Sequence, residues 1–141
     1  MARVNTYLNF MGNTEEAFNF YAKVFGTEIT SLSRMKDFPN NNGAELSEED
    51  SNKIMNVQLP IVAGHVLMGT DALESMGHQL TVGNNISISL DVDSREDADR
   101  IYNALAVSSP SGSGMGDMPW GAYWGSCEDQ YGIRWMISFA G

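Results

Sequence analysis

Few side chains in this sequence are of the types that perform chemistry, and their spacing matches no common catalytic set. The 141-residue chain has two histidines, His65 and His78, and one cysteine, Cys127. His65 falls in a predicted hairpin turn and His78 in a predicted linker, so each is interpreted as a surface residue rather than a metal ligand. No basic residue adjoins Cys127 to lower the pKa of its thiol, which predicts an inert core or strand cysteine.

Carboxylates are more numerous, but they also lack a catalytic or metal-binding arrangement. The acidic run Glu45, Glu48, Glu49 and Asp50 lacks the alternating ligands and well-placed glycine of an EF-hand, so it predicts a solvated loop. Asp93 is predicted to support the start of a helix rather than to act as a general base.

Aromatic side chains interleaved with glycine are concentrated in the last quarter of the chain. They are Trp120, Tyr123, Trp124, Tyr131 and Trp135. Such side chains suit a pocket for a planar or hydrophobic small molecule, and they also pack ordinary cores. Strand alternation predicts Trp120 and Trp124 on one face, and Trp135 and Met136 on opposite faces. Trp120 and Trp124 are therefore candidate ligand contacts.

Charge and composition exclude several classes of protein. With 8 Lys and Arg residues and a formal charge of −10, the chain is a poor partner for nucleic acid or for an anionic membrane. No apolar run is long enough to span a membrane, and the first residues lack the apolar stretch of a secretion signal. With its lone cysteine, the chain is predicted to be one cytoplasmic domain, residues 1–141.

The elements that must position these residues occur twice, 81 positions apart. The first set is predicted as strand 3–10, helix 14–25 capped by Gly26, a strand near 27–36, a loop 36–51 and strands 54–62 and 66–70. The second set is predicted as strand 85–92, helix 94–106, a short strand near Val107 and strands at about 120–128 and 133–139. Strand-helix-strand-strand-strand, used twice, predicts two similar half-domains: module one about 1–72, a linker about 73–83 and module two about 84–141.

The two predicted helices share their apolar pattern and their start signal. The matched pairs are Ala17/Ala98, Phe20/Ile101, Tyr21/Tyr102 and Val24/Leu105. Each helix opens with a capping-box pattern, Asn13-x-x-Glu16 and Ser94-x-x-Asp97. The glycine- and serine-rich stretch 108–117 lacks the setting of a nucleotide-binding fingerprint, and is interpreted either as a lid beside a binding site or as a surface connection.

Two longer motifs resemble a known superfamily. They are Tyr7-Leu8-x-Phe10-x-Gly12-Asn13-x-x-Glu16-Ala17-x-x-Phe20-Tyr21-x-x-Val24-Phe25-Gly26 and Trp124-Gly125-x-x-x-Asp129-x-Tyr131-Gly132-x-x-Trp135, supported by Asp91-Val92-Asp93. With these motifs the chain resembles the vicinal oxygen chelate superfamily, which includes glyoxalase I, bleomycin-resistance proteins and extradiol dioxygenases, and within it the PhnB-like group. The resemblance covers nearly the whole chain. It implies an α+β fold in which two βαβββ modules form a half-open barrel of curved mixed sheets.

Metal enzymes of this superfamily bind a divalent ion with His, Gln or Glu side chains, and the resemblance identifies the equivalent positions here. By the family spacing they are Thr6, Met68, Ser87 and Met136, while Asn56 replaces a histidine that relatives often carry. Neutral hydroxyls and thioethers are poor ligands for such ions. The resemblance thus implies a cavity without a metal or other cofactor.

The sequence therefore favours a metal-free protein that binds a small, planar or hydrophobic organic molecule, as a homodimer. Ligand contacts are predicted at Thr6, Met68, Ser87, Trp120, Trp124 and Met136, and no catalytic residue is assigned. One alternative is a lyase or dioxygenase of the same superfamily with unrecognised metal ligands. Another is a structural or regulatory dimer without a ligand.

Overall fold

The computed structural model describes residues 2–38 and 46–140, and the chain divides into two compact units, Met1–Thr81 and Val82–Gly141. Each unit contains one mixed sheet and one long helix. The α+β class predicted from the sequence is confirmed. No described helix has both the length and the apolar character needed to cross a bilayer.

The first unit forms a four-stranded sheet in the order β1-β4-β3-β2, with β1 parallel to β4 and the other pairs antiparallel. Its elements are β1 (Thr6–Phe10), α1 (Thr14–Phe25), β2 (Ser31–Arg34), α2 (Glu48–Ser51), β3 (Ile54–Pro60) and β4 (Val66–Asp71), with 3₁₀ turns at Met35–Asp37 and Glu74–Met76. Part of the predicted loop 36–51, including Glu45, lies outside the described residues.

The second unit repeats this topology in the order β5-β9-β8-β6, again with its first strand parallel to its last. Its elements are β5 (Ile88–Asp91), α3 (Arg95–Leu105), β6 (Ser111–Gly112), β7 (Gly116–Asp117), β8 (Tyr123–Glu128) and β9 (Arg134–Phe139). The repeated strand-helix-strand-strand-strand order is confirmed, except that one strand is split into two short pieces.

Helix α1 has the predicted bounds and ends at Gly26, whose left-handed backbone (φ 65°) completes the cap. Its buried face differs from the prediction by one residue, because Phe18 is fully buried whereas Phe20 is half-buried. Phe18 packs so tightly on β4 that a Cβ at Gly69 would lie 2.6 Å from the Phe18 ring. Glycine at position 69 therefore lets the helix approach the sheet.

Helix α3 buries the four predicted residues Ala98, Ile101, Tyr102 and Leu105. The N-cap half of its capping-box prediction is confirmed, because the Ser94 side chain accepts a hydrogen bond from the Asp97 amide at 3.0 Å. The matching prediction for α1 is wrong, since Asn13 makes no side-chain cap.

The stretch 108–117 is part of the second sheet rather than a continuous loop. Ser111 and Gly112 pair with the end of β8, and Gly116 and Asp117 pair with its beginning. The strand predicted near Val107 is wrong, because that residue lies in the turn after α3.

The two faces of the first sheet differ, because one of them packs on α1. In the first sheet Leu8, Phe10, Leu67 and Leu59 are buried on the face that packs on α1, as alternation requires. Their neighbours point to the opposite face, which we call the far face: Tyr7, Asn9, Gln58, Met68 and Thr70. The far face of the first sheet carries the site described next.

Candidate functional site

A cavity of about 730 Å³ lies within the first unit. Its lining comes from the far face of the sheet and from the segment that follows β4, which was predicted to be a linker. The volume is in the range of about 300–1,000 Å³ that is usual for small-molecule sites.

The apolar part of the lining consists of thioether and aliphatic side chains: Met35, Met55, Leu73, Met76 and Leu80. Met55 is aimed by a β-bulge, since the register passes from Ser33↔Asn56 to Arg34↔Ile54 and leaves Met55 as the extra residue. Bulges redirect a side chain in this way. Flexible thioethers adapt to ligands of irregular shape, so this wall suits an apolar molecule.

The polar part of the lining is small and mostly uncharged. Tyr7 and Asn9 project from β1, and Thr70 lies beside Asn9 in the parallel pairing of β1 with β4. Tyr7 is half-exposed, and the Thr70 hydroxyl makes only a long contact of 3.4 Å to the Ile54 carbonyl. These groups can orient a ligand by hydrogen bonding.

Asp71 also lines the cavity, but its carboxylate is fully engaged in holding the fold. Oδ1 accepts hydrogen bonds from the amides of Gly12 and Thr14 and from the Thr14 hydroxyl, at 3.0, 3.1 and 2.6 Å. Oδ2 accepts from the Ile54 amide at 2.8 Å. This buried carboxylate replaces the missing Asn13 cap at the start of α1, so it is unsuited to act as a general base.

His78 is an exposed lining residue whose ring is fixed by the main chain. Its Nδ1 accepts a hydrogen bond from the Leu73 amide at 2.9 Å, while its own amide donates to the Leu73 carbonyl at 3.2 Å. The prediction that His78 is a surface residue agrees with its exposure, and His78 is also among the residues that line the cavity.

None of the six ligand contacts predicted from the sequence lines this cavity. Met68 lies on the far face beside Tyr7, whereas Thr6 shares the opposite face with Leu8 and Phe10. The Thr6 hydroxyl instead bonds His65 Nε2 at 2.8 Å. Thr6 and Met68 therefore point to opposite sides of one sheet and cannot hold the same ion.

The other four predicted contacts belong to the second unit. Trp124 and Met136 lie half-buried on the face of the sheet away from α3, and Ser87 is exposed just before β5. Trp120 was predicted to lie in a strand, but it lies in a turn, where it is 69% exposed. Trp135 is fully buried on the face opposite to Met136, as strand alternation predicts.

The residues that could hold a metal do not form a suitable set. Within 2–38 and 46–140, no group of three or more His, Cys, Asp or Glu side chains converges on a common point. Burial and the charge of Asp129 raise the pKa of the Cys127 thiol to about 11, which matches the prediction of an inert cysteine. The donor chemistry thus does not fit the divalent ion that the superfamily implies.

The motif near the end of the chain has a structural explanation. Asp129 is buried, and its Oδ1 accepts from the amides of Tyr131 and Ile133 while its Oδ2 accepts from the Trp135 indole at 2.8 Å. Gly132 adopts a left-handed backbone in the same turn (φ 90°). These hydrogen bonds fix the β8–β9 turn.

A second polar cluster joins the split strand to α3. Arg95 forms an ion pair with Asp117 at 2.7 Å and lies 3.9 Å over the Tyr123 ring. The Tyr123 hydroxyl bonds Asp99, and this bond is the main reason that the pKa of Tyr123 is raised. The cluster fastens β7 to the helix.

Comparison with known families and structures agrees with this fold. The sequence matches the family described as 3-demethylubiquinone-9 3-methyltransferase over residues 2–138. No curated protein matches the sequence.

Several solved structures are similar over nearly the full length. Protein PA1353 from Pseudomonas aeruginosa is 31% identical, with a TM-score of 0.78 and 99% of this chain and 98% of that chain covered. A Bacillus cereus protein described as a putative 3-demethylubiquinone-9 3-methyltransferase, PhnB protein, is 26% identical, with a TM-score of 0.74 and coverage of 99% and 100%.

A more distant structure is similar in fold alone. It is a mutant of the fosfomycin resistance protein FosX from Listeria monocytogenes, complexed with Mn(II) and 1S,2S-dihydroxypropylphosphonic acid. That protein is 14% identical, with a TM-score of 0.65 and coverage of 99% and 92%.

Proposed function

The chain belongs to the 3-demethylubiquinone-9 3-methyltransferase family, a PhnB-like group within the vicinal oxygen chelate superfamily, and we propose that it binds a small, largely apolar organic molecule without a metal. The single observation that supports this proposal is the methionine-lined cavity of the first unit. The protein would sequester or carry its ligand rather than transform it.

The chemistry of the lining supports binding over catalysis. The one acid among its described residues, Asp71, has a carboxylate that is engaged by four hydrogen-bond donors on the α1 side of the sheet. General-base catalysis requires a free acceptor within hydrogen-bond reach of the substrate proton, which Asp71 does not offer. Apolar side chains with a few neutral polar groups are the composition of a binding pocket.

A neutral fluorescent probe, N-phenyl-1-naphthylamine, tests the location of binding. We expect its emission to rise on titration with the protein, and we expect Met55→Asp to weaken binding at least tenfold. The reason is that a charge in the apolar wall must be desolvated when the probe enters. Met55 is half-buried in a bulge, so the substitution is compatible with folding, which circular dichroism would check.

Met136→Asp is the matched control, because Met136 is a half-buried strand methionine that does not line the cavity. We expect it to leave probe affinity unchanged. If Met136→Asp abolished binding and Met55→Asp did not, the position predicted from the sequence would be correct and the cavity would not be the site. Absence of binding to the wild-type protein would contradict the proposal itself.

Metal analysis of protein purified without chelator tests the other half of the proposal. We expect Mn, Fe, Ni and Zn well below one equivalent, because thioethers, amides and hydroxyls bind these ions weakly. A near-stoichiometric content of any of them would instead favour a metal-dependent enzyme of the superfamily.

The homodimer and the cytoplasmic location stay predictions from the resemblance and the composition. Light scattering coupled to size exclusion would test the first, and a mass of one chain would contradict it. Fractionation of the native cells would test the second.

A further inference from the structure

The geometry points to a ligand of defined polarity, and we infer that the cavity selects neutral molecules bearing an acceptor oxygen, which the Nε2–H of His78 contacts. This inference rests on the proposed function, since it concerns the same cavity. It adds the chemical class of the ligand and names a residue that determines specificity.

The orientation of the His78 ring determines what it offers. The Leu73 amide is a donor, so the Nδ1 that faces it at 2.9 Å must accept and carries no proton. A neutral imidazole with a bare Nδ1 carries its hydrogen on Nε2. The amide of His78 also donates to the Leu73 carbonyl, so two hydrogen bonds to Leu73 hold the ring and the turn that carries it. The cavity lining therefore includes a fixed donor.

The charges of the lining determine which acceptors can bind. The carboxylate of Asp71 lies on the α1 side of the sheet, where four donors engage it, and no lysine or arginine is among the described residues that line the cavity. An anionic ligand would find no cation in this lining to offset its lost hydration. A ketone, amide or ether oxygen keeps the hydrogen bond to His78 without this cost.

Three naphthalenes of nearly equal shape separate these effects. 2-Acetylnaphthalene carries a neutral acceptor, 2-isopropenylnaphthalene replaces the oxygen by a methylene group, and 2-naphthoate is the anion. Their affinities would be measured by displacement of N-phenyl-1-naphthylamine. We expect the ketone to bind about five- to tenfold more tightly than the alkene, the size of one net hydrogen bond, and the carboxylate to bind weakest.

Variants of His78 assign the preference to its ring. In His78→Asn the amide oxygen replaces Nδ1 as the acceptor for Leu73, so the turn is kept while the donor at the Nε2 position is lost. We expect the ketone-to-alkene ratio to fall to about that of His78→Phe, which removes both groups. The ketone and the alkene differ in hydration, but this difference is the same for every variant. It therefore cancels when the ketone-to-alkene ratios of two variants are compared. The matched control is His65→Asn, because His65 bonds Thr6 and does not line the cavity, and there the ratio should not change.

The outcomes distinguish this inference from the proposed function. If none of the three naphthalenes displaces the probe and the probe itself does not bind, the proposed function fails. If all bind and the ratio is the same in wild type and in His78→Asn, only the inference is overturned. Tighter binding of 2-naphthoate than of the ketone would also overturn it.

Discussion

Two buried carboxylates, Asp71 and Asp129, each accept hydrogen bonds from several main-chain amides. Each is almost fully buried and accepts several hydrogen bonds, from the start of α1 in one case and from the β8–β9 turn in the other. Buried acids are usually read as candidates for chemistry. Here their partners are backbone amides, a threonine hydroxyl and an indole, so their role is structural.

Replacing Asp71 by asparagine should destabilise the protein by about 2–4 kcal/mol. The NH₂ group of the new asparagine would face at least one backbone N–H donor. Buried donors would then lack the charged acceptor that Asp71 provides, which lowers the free energy of unfolding. Urea denaturation would measure the change in free energy of unfolding. Asp93→Asn makes the same chemical change at an exposed position and should shift it by less than about 0.5 kcal/mol. An equal effect of the two substitutions would contradict the structural role of Asp71.

The pH dependence of thiol modification should reflect the buried state of Cys127. Its pKa is raised to about 11, and the thiolate is the reactive form. The rate of reaction with Ellman's reagent in the native protein should thus keep rising through pH 8 to 10. The rate for an exposed thiol, with a pKa of about 8.5, would instead approach its plateau at about pH 9.5 to 10.

Ser126→Cys in a Cys127→Ala background provides the comparison, because residue 126 lies one position along the strand on the other face. Its profile should reach the plateau of an accessible thiol. A rate for native Cys127 that is half-maximal near pH 8.5 would show that the thiol is not shielded.

Residue types were easier to predict than the directions of side chains. The position of Cys127 as a buried strand residue was predicted from local sequence. Thr6 was placed on the wrong side because the face of β1 is set by its pairing with β4, more than fifty residues away. Local sequence does not contain that register.

At the scale of elements, the helix starts show how similar patterns can give different structures. Ser94 caps α3, whereas α1 is held by Asp71 from β4. The same short pattern was present at both sites, but a long-range carboxylate replaced one cap.

Ser94→Ala should therefore cost about 1 kcal/mol of stability, the usual value of a lost N-cap. Asn13→Ala should cost much less, because the Asn13 side chain makes no capping bond. Thermal or urea unfolding of the two variants would measure both. Equal losses would contradict the difference between the helix starts.

The strands of the split edge were harder to predict than the helices. Stretch 108–117 is rich in glycine and serine, a composition typical of loops. Its pairing depends on β8, where Gly125 accepts the close approach of the Gly114 backbone: a Cβ at position 125 would lie 2.7 Å from the Gly114 carbonyl oxygen. Such a contact depends on the tertiary fold.

At the scale of the whole molecule, the internal repeat was the strongest signal in the sequence. It predicted the element order of both units because it compares the chain with itself. The cavity could not be predicted in the same way, since it combines a bulged strand residue, a 3₁₀ turn and a segment that lacks periodicity.

We expect the chain to unfold as one cooperative domain, as predicted from its length. Each module alone is of a size at which a single core gives only marginal stability. All three tryptophans lie in the second unit, so their fluorescence reports on that unit, while far-ultraviolet circular dichroism reports on both. The two urea transitions should coincide, and separate midpoints would show that the units fold independently.

The split of one border strand into β6 and β7 affects how this protein behaves at high concentration. An unbroken outer strand offers a continuous row of amides and carbonyls to which a foreign chain can add. Here residues 113–115 separate the two short strands, and the Ser113 hydroxyl accepts a hydrogen bond from the Ser126 amide at 2.9 Å. We therefore expect this border of the second sheet to be a poor template for fibril growth.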